Sequence, residues 1–247
     1  MLRRRAVLRT FTRLAQPATP AAPAGARIET TQPEVKVCTG DACTVLTQKV
    51  FAATGSMRAA TNPDGSIAVV LLGDARAGKG YAEIWDVPKT RKLTTFRYAR
   101  GDFRCGDVRL LGETIYLTAA TCNEPGARGV LYSTRGRRIA NVGGKDFGTY
   151  GNAHVQLDGP RWAFLEENGG QIAIQDIVKG KVSKVIELGV LWKNGGTAMG
   201  NPGESTLVRV ATDKLAVIAG APATGSVAVV NVASGEIEII PAPPCTP

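Results

Sequence analysis

The chain has 247 residues, 44% hydrophobic and 21% charged, enough to bury a core within one domain. No apolar run approaches the ~20 residues of a membrane-spanning helix. The net charge is +9, but Arg3, Arg4, Arg5, Arg9 and Arg13 all lie ahead of the first acidic residue, Glu29. Without those five the rest carries +4. There Lys and Arg are interleaved with Asp and Glu, with neither a concentrated basic stripe nor interleaved aromatics, so no nucleic-acid partner is expected.

Residues 1–33 are read as a flexible N-terminal segment, basic in MLRRRAVLRTFTRLAQ and then Pro/Ala-rich in PATPAAPAGA. Its arginines interrupt the roughly 7–15-residue apolar stretch that a secretory or twin-arginine leader needs. The composition also suits an amphipathic transit peptide; a disordered tail, or a start lying inside a longer protein, is favoured over it. From Glu34 the chain alternates short β runs with turns. Glu34–Leu46 is a hairpin, and Ser66–Leu72 follows the turn Asn62–Pro63–Asp64–Gly65. Glu83–Val87 comes next, and Val108–Leu111 faces Thr114–Ala119 across Gly112–Glu113. Val155–Leu157, Trp162–Leu165 and Gln171–Asp176 continue the pattern. Leu207–Val210, Leu215–Ala219, Val227–Val232 and Glu236–Ile240 complete it. No segment keeps a 3.6-residue period long enough for a helix.

A two-strand unit with a Gly-, Ser-, Thr- or Asp-containing turn recurs at Tyr81–Tyr98, Gly129–Val142, Gln171–Leu188 and Ser226–Ile240. Each is the second half of a four-stranded sheet, and the four sheets run over 57–98, 108–142, 155–188 and 207–240. A period of about 45–50 residues and four strands per repeat is that of a β-propeller blade. The expected fold is therefore all-β: a propeller-like array of four antiparallel blades plus a partial N-terminal blade, five-bladed or incomplete. The domain spans 34–241, and residues 242–247 are a C-terminal tail. The strand Ala82–Val87 (AEIWDV) resembles the Trp-Asp strand of WD40 repeats, with Asp176 and Asn231 standing where Asp86 does. The resemblance covers most of residues 34–240, but only Trp85–Asp86 matches the dipeptide and the Gly-His signature is missing. It implies a WD40-like propeller and protein–protein interaction.

Five cysteines are present. Cys38 and Cys43 face each other across the turn 39–42. Cys105 and Cys122 lie near cross-strand register, and Cys245 is left over. Two hairpin disulfides are the favoured reading over five reduced thiols, and they point to an oxidising, extracytoplasmic (periplasmic or secreted) compartment. Cys38-x4-Cys43 has no second Cys or His pair at zinc spacing.

Motifs that could carry chemistry are few. Gly73–Gly80 (GDARAGKG) approaches a phosphate loop, but Gly80 replaces the hydroxyl and a strand follows instead of a helix. His154 is the single histidine, with no Gly-x-Ser-x-Gly elbow beside it, and is read as structural or solvent-exposed. Carboxylate pairs such as Glu166–Glu167 and Glu236/Glu238 fall in turns or on strand faces. No catalytic, cofactor-binding or metal-ligating residue is therefore assigned, and no cofactor is expected. Aromatic–cation loops between blades have the composition of binding surfaces and also of side chains that pack neighbouring blades; packing is favoured over recognition, and the candidate interaction residues are Phe103, Arg104, Phe147, Tyr150, Trp192 and Lys193. The expected function is a non-catalytic scaffold or sensory module presenting blade loops to a protein. The alternative is a propeller-type hydrolase, lactonase-like or glycan-processing, or a small-ligand or sugar-binding module with its site at the propeller axis.

Overall fold

Short turns with glycine in the left-handed region reverse the chain between antiparallel strands, as at Gly40, Gly112 and Gly159. The computed structural model describes residues 25–31, 34–46, 57–74, 79–100, 107–119, 128–144, 147, 153–166, 170–188, 205–218 and 227–240, which hold strands and no helix. The first sheet is β1 (Arg27–Thr31), β2 (Glu34–Thr39) and β3 (Ala42–Leu46). The second is β4 (Met57–Thr61), β5 (Ile67–Asp74), β6 (Lys79–Asp86) and β7 (Arg91–Arg100). The third is β8 (Asp107–Leu111), β9 (Thr114–Ala119), β10 (Arg128–Ser133) and β11 (Arg138–Asn141). The fourth is β12 (His154–Asp158), β13 (Arg161–Leu165), β14 (Gln171–Asp176) and β15 (Lys181–Glu187). The fifth is β16 (Thr206–Ala211), β17 (Lys214–Ile218), β18 (Val227–Asn231) and β19 (Ile237–Ile240).

Every sheet is a simple meander, and its first strand lies beside the first strand of a neighbouring sheet: β1 by β4, β4 by β8, β12 by β16. That places the first strands innermost and is the geometry of propeller blades. The sheets begin at Arg27, seven residues earlier than the boundary at 34, so part of the expected flexible segment is ordered as β1. RIETT is short and mostly polar, and it is drawn into the fold by its register with β2, Ile28 opposite Val37, and by lying beside β4 with Ile28 packed on the core between the first and second sheets. Among the described residues the partial blade therefore has three strands instead of a lone hairpin.

Strand alternation buries both faces of the middle sheets. In β5, Ala68, Val70 and Leu72 pack with Val35, Val37 and Leu46 of the first sheet. Val69 and Leu71, pointing the other way, pack with Val108, Ile115 and Leu117 of the third. Tyr116, Leu131 and Val142 meet Phe164, Ala173 and Ile177 between the third and fourth sheets. Leu165, Ile172 and Ile174 meet Leu207, Leu215 and Val217 between the fourth and fifth. Among the described residues no core cluster joins the fifth sheet to the first.

Candidate functional site

The sequence repeat has a mechanical origin in the hairpin joining the third and fourth strands of each four-stranded sheet. Asp86, Ser133, Asp176 and Asn231 end the third strands, and each side-chain oxygen accepts backbone N–H groups of the turn it starts. Asp176 Oδ1 accepts from Val178 and Lys179 at 3.0 and 2.9 Å. Asn231 Oδ1 accepts from Ala233 and Ser234, both at 2.9 Å. Ser133 Oγ takes Arg135 and Arg137 at 3.3 and 3.2 Å, and Asp86 Oδ1 takes Lys89 at 3.3 Å. These are Asx- and Ser-type turns, which replace lost ladder bonds by a local acceptor. The next residue in three of them, Val87, Ile177 and Val232, donates its N–H to a carbonyl in its own sheet's first turn: Ser66, Pro160 and Asp213.

Three of the four hairpins also rest on the outer strand of the preceding sheet. A Cβ on Gly136 would meet Phe96 at 3.0 Å and Thr94 at 3.4 Å; one on Gly180 would meet Ala140 at 2.7 Å and Ile139 at 3.0 Å. Gly235 lies likewise against Lys184. The hairpins therefore follow one another along one rim, locked in place by sheet-to-sheet contact. The second sheet's hairpin has Thr90 at the glycine position, with φ 47°.

One buried polar group pins the rim between the third and fourth sheets. Gln175, fully buried, donates from Nε2 to the carbonyls of Asn141 and Gly180, both at 3.0 Å. Its Oε1 accepts the N–H of Gly143 at 3.0 Å. Beyond it, Lys184 donates to the carbonyls of Val232 and Ala233, and Arg209 to the carbonyl of Leu157. Polar side chains thus stitch successive sheets through backbone carbonyls.

The exposed turn residues on this rim are basic. The hairpins carry Lys89, Arg91 and Lys92 in the second sheet, Arg135, Arg137 and Arg138 in the third, and Lys179 and Lys181 in the fourth. In the second sheet the charges are answered: Lys89 and Arg91 pair with Asp86 at 3.2 and 3.8 Å, and Lys92 with Glu83 at 2.8 Å. In the third, Arg138 donates to Asn141 Oδ1 at 2.6 Å. Among the described residues Arg135 and Arg137 have no ion-pair partner. A cleft of about 550 Å³ opens beside them, walled by Glu113, Thr114, Ser133, Thr134, Ile139 and Val178. The fifth sheet's hairpin instead carries Glu236, with Glu238 beyond it.

His154 sits between the third and fourth sheets in a ring of aromatic side chains, 5.5 Å from Tyr116, 5.7 Å from Trp162 and 6.2 Å from Phe164, centroid to centroid. Its Nδ1 is buried without a hydrogen-bond partner among the described residues. Burial and then the Arg109 guanidinium pull its pKa down to about 4, against a weaker opposing pull from Asp107. It is a neutral packing ring at neutral pH.

The structure brings Cys38 and Cys43 together as a disulfide directly across β2 and β3. Cys105, Cys122, Phe103, Arg104, Tyr150, Trp192 and Lys193 lie outside the described residues. Of the candidate interaction residues, Phe147 follows the packing alternative and not recognition: at 4% exposure it is a core residue between the third and fourth sheets, its ring folded against Gly143. Residues 75–78 of the Gly-rich loop are not described, but β5 and β6 on either side pair antiparallel from Ile67↔Asp86 to Asp74↔Lys79. The loop joins two strands. Among the described residues no group of three or more His, Cys, Asp or Glu side chains is arranged to hold a metal. The basic rim escaped sequence reading because its cations are spread over three hairpins; only alignment on Asp86, Ser133 and Asp176 would have stacked them.

No protein-family model matches the chain, and no curated protein matches it in sequence. Solved structures do match its fold. A chain of the mitotic checkpoint complex aligns with a TM-score of 0.54 at 16% identity, over 84% of this chain and 60% of that one. This chain thus spans 60% of the length of that relative in shape. A protein of unknown function from Bacteroides caccae aligns at 0.47 and 11% identity, over 85% and 75% of the two chains. Hydrazine synthase of Kuenenia stuttgartiensis aligns at 0.44 and 16%, over 94% and 69%. At these identities the first likeness carries the propeller-like fold and nothing about activity.

Proposed function

We propose that the chain is a non-catalytic, WD40-like scaffold that presents the hairpins of one rim to a partner protein. The observation that carries this reading is the row of four capped hairpins, three of them braced by glycine contact on the sheet before. Turn residues held this way are displayed on a rigid frame, and a pre-organised surface loses little entropy when a partner docks. The Cys38–Cys43 disulfide supports an oxidising, extracytoplasmic setting for that role. The likeness in fold to a chain of the mitotic checkpoint complex is compatible with a part in an assembly and names no partner.

The test is chemical cross-linking of the tagged full chain in its native cells, followed by mass spectrometry. Intermolecular cross-links should concentrate on Lys89, Lys179 and Lys181. Cross-links confined to the chain itself, or turnover of lactone or glycan substrates by the purified protein, would overturn the reading.

A further inference from the structure

We propose that the cleft beside Arg135 and Arg137 binds an acidic peptide segment of a partner protein. Carboxylates of that segment would lie on the two guanidinium groups and an aliphatic side chain would lie against Ile139 and Val178. This deepens the scaffold reading and rests on it.

Four features of the cleft select this ligand. Its volume of about 550 Å³ falls in the roughly 300–1,000 Å³ range of ligand clefts. Arg135 and Arg137 have no ion-pair partner among the described residues, so their charge and fork geometry are available to carboxylates. Their turn is already fixed, because Ser133 Oγ holds both of their backbone N–H groups. The far wall is apolar: Val178 is 60% exposed and stands above Ile139, which is itself braced by Gly180.

The same lining disfavours a nucleic acid. Among the described residues no aromatic side chain lines the cleft to stack a base. Glu113 and the hydroxyls of Thr114 and Thr134 suit the N–H groups of an extended peptide instead. The cations of the neighbouring hairpins add long-range attraction that steers an acidic segment toward the rim.

The experiment uses the full chain and a fluorescein-labelled peptide of alternating Asp/Glu and Leu, read by fluorescence anisotropy at low and at ~0.15 M salt. Binding should be saturable, and the double variant Arg135→Glu/Arg137→Glu should weaken it by about tenfold or more. Charge reversal at the far end, Arg27→Glu/Lys36→Glu, should leave it unchanged. Circular dichroism and Tm check that both variants fold. No binding, equal weakening by both double variants, or tighter binding of a single-stranded oligonucleotide of matched charge overturns the assignment. If the native cross-links of the preceding section persist in Arg135→Glu/Arg137→Glu, the cleft assignment falls and the scaffold reading stands. If the unaltered chain forms none, the scaffold reading falls.

Discussion

Replacing Gln175 by Leu tests whether polar stitching between sheets, and not apolar packing alone, fixes the rim. The side chain is fully buried and makes three hydrogen bonds of 3.0 Å, two of them to backbone groups of the third sheet's final turn. Leu fills a similar volume, so the loss is mainly those bonds, each worth about 1 kcal/mol net. The expected destabilisation is therefore about 3 kcal/mol. If the Gly143 N–H stays dry without its acceptor, a further ~1–3 kcal/mol follows. For a domain of this size each kcal/mol lowers Tm by roughly 2–4 °C, so Gln175→Leu should melt at least ~6 °C lower. Urea unfolding gives the free energy, and hydrogen exchange at Gly143 shows whether the loss is local. Gln156→Leu is the matched control: that side chain is exposed and makes one bond, to the Gly159 carbonyl at 2.8 Å, so it should cost no more than ~0.5 kcal/mol. A loss below 1 kcal/mol for Gln175→Leu, or one no larger than the control's, refutes the stitching argument.

His154 makes stability depend on acid. Its folded pKa of about 4 lies below the ordinary 6.5, so the unfolded chain takes the proton first as pH falls. The stabilisation is complete above pH 6.5 and is lost progressively between 6.5 and 4, up to about 3 kcal/mol. His154→Phe should flatten that part of the stability–pH curve; an unchanged slope contradicts the burial argument. Thr90 and Gly180 occupy equivalent turn positions with opposite expectations. Thr90→Gly should stabilise by about 1 kcal/mol by relieving a β-branched residue at φ 47°. Gly180→Thr should cost more than ~2 kcal/mol, since φ is 73° and its Cβ would lie 2.7 Å from Ala140. Parallel denaturation curves measure both, and equal signs would sink the comparison. Cys38→Ser/Cys43→Ser should lose about 2 kcal/mol, the chain-entropy value for so short a loop, and become insensitive to reductant. A reductant-dependent Tm in that variant would point to a different bond.

The strands and their grouping were legible because period-two alternation and turn chemistry are local. Asn62–Pro63–Asp64–Gly65 is such a case: the Asn62 and Asp64 side chains accept N–H groups of Ile67 and Ser66, and the turn reports itself in sequence. Leu111 opposite Thr114 is another, fixed by a two-residue turn. β1 was hidden because RIETT has the composition of linker, and what distinguishes it, pairing with β2 and packing beside β4, is tertiary contact that no local pattern announces. For Phe147 the sequence left packing and recognition both open, because a loop aromatic beside a cation has the same composition whether it faces a partner or folds back; Gly143, lacking a Cβ, is what lets the ring return to the core. The basic rim and its cleft depend on stacking of residues some 45 positions apart, which no local pattern encodes.

Trp85–Asp86, the dipeptide that suggested WD40 repeats, has a role the motif does not reveal. Asp86 does what Asp176 and Asn231 do, starting a capped turn. The residue before the cap varies along the array: Tyr132, Gln175 and Val230 hold the place of Trp85, and only the third sheet has another aromatic there. The register of Trp85 with Ala68 turns it toward the first sheet, whose described part stops at three strands. An outer fourth strand there would cover the same side of β6 and β7. In its stead Trp85 Nε1 donates to Glu83 at 3.2 Å, and Lys92 donates to the other Glu83 oxygen while its ammonium stands 6.0 Å from the indole centre. That roof leaves Trp85 8% exposed and Glu83 9% exposed. Thr90 fits the same logic. Gly136 and Gly180 have no room for a side chain because the outer strand of the sheet before lies against them, whereas Thr90 is exposed and can carry one. The far end of the array shows the opposite treatment: β16, β17 and β19 leave Val208, Val210, Ile218 and Ile240 39–54% exposed, while the first sheet's outer face carries Arg27, Glu29 and Lys36 in exposed ion pairs. Pressing those two faces together would strip water from charges with no new partners to receive them. Among the described residues the end sheets thus present unlike surfaces, apolar on the fifth and charged on the first.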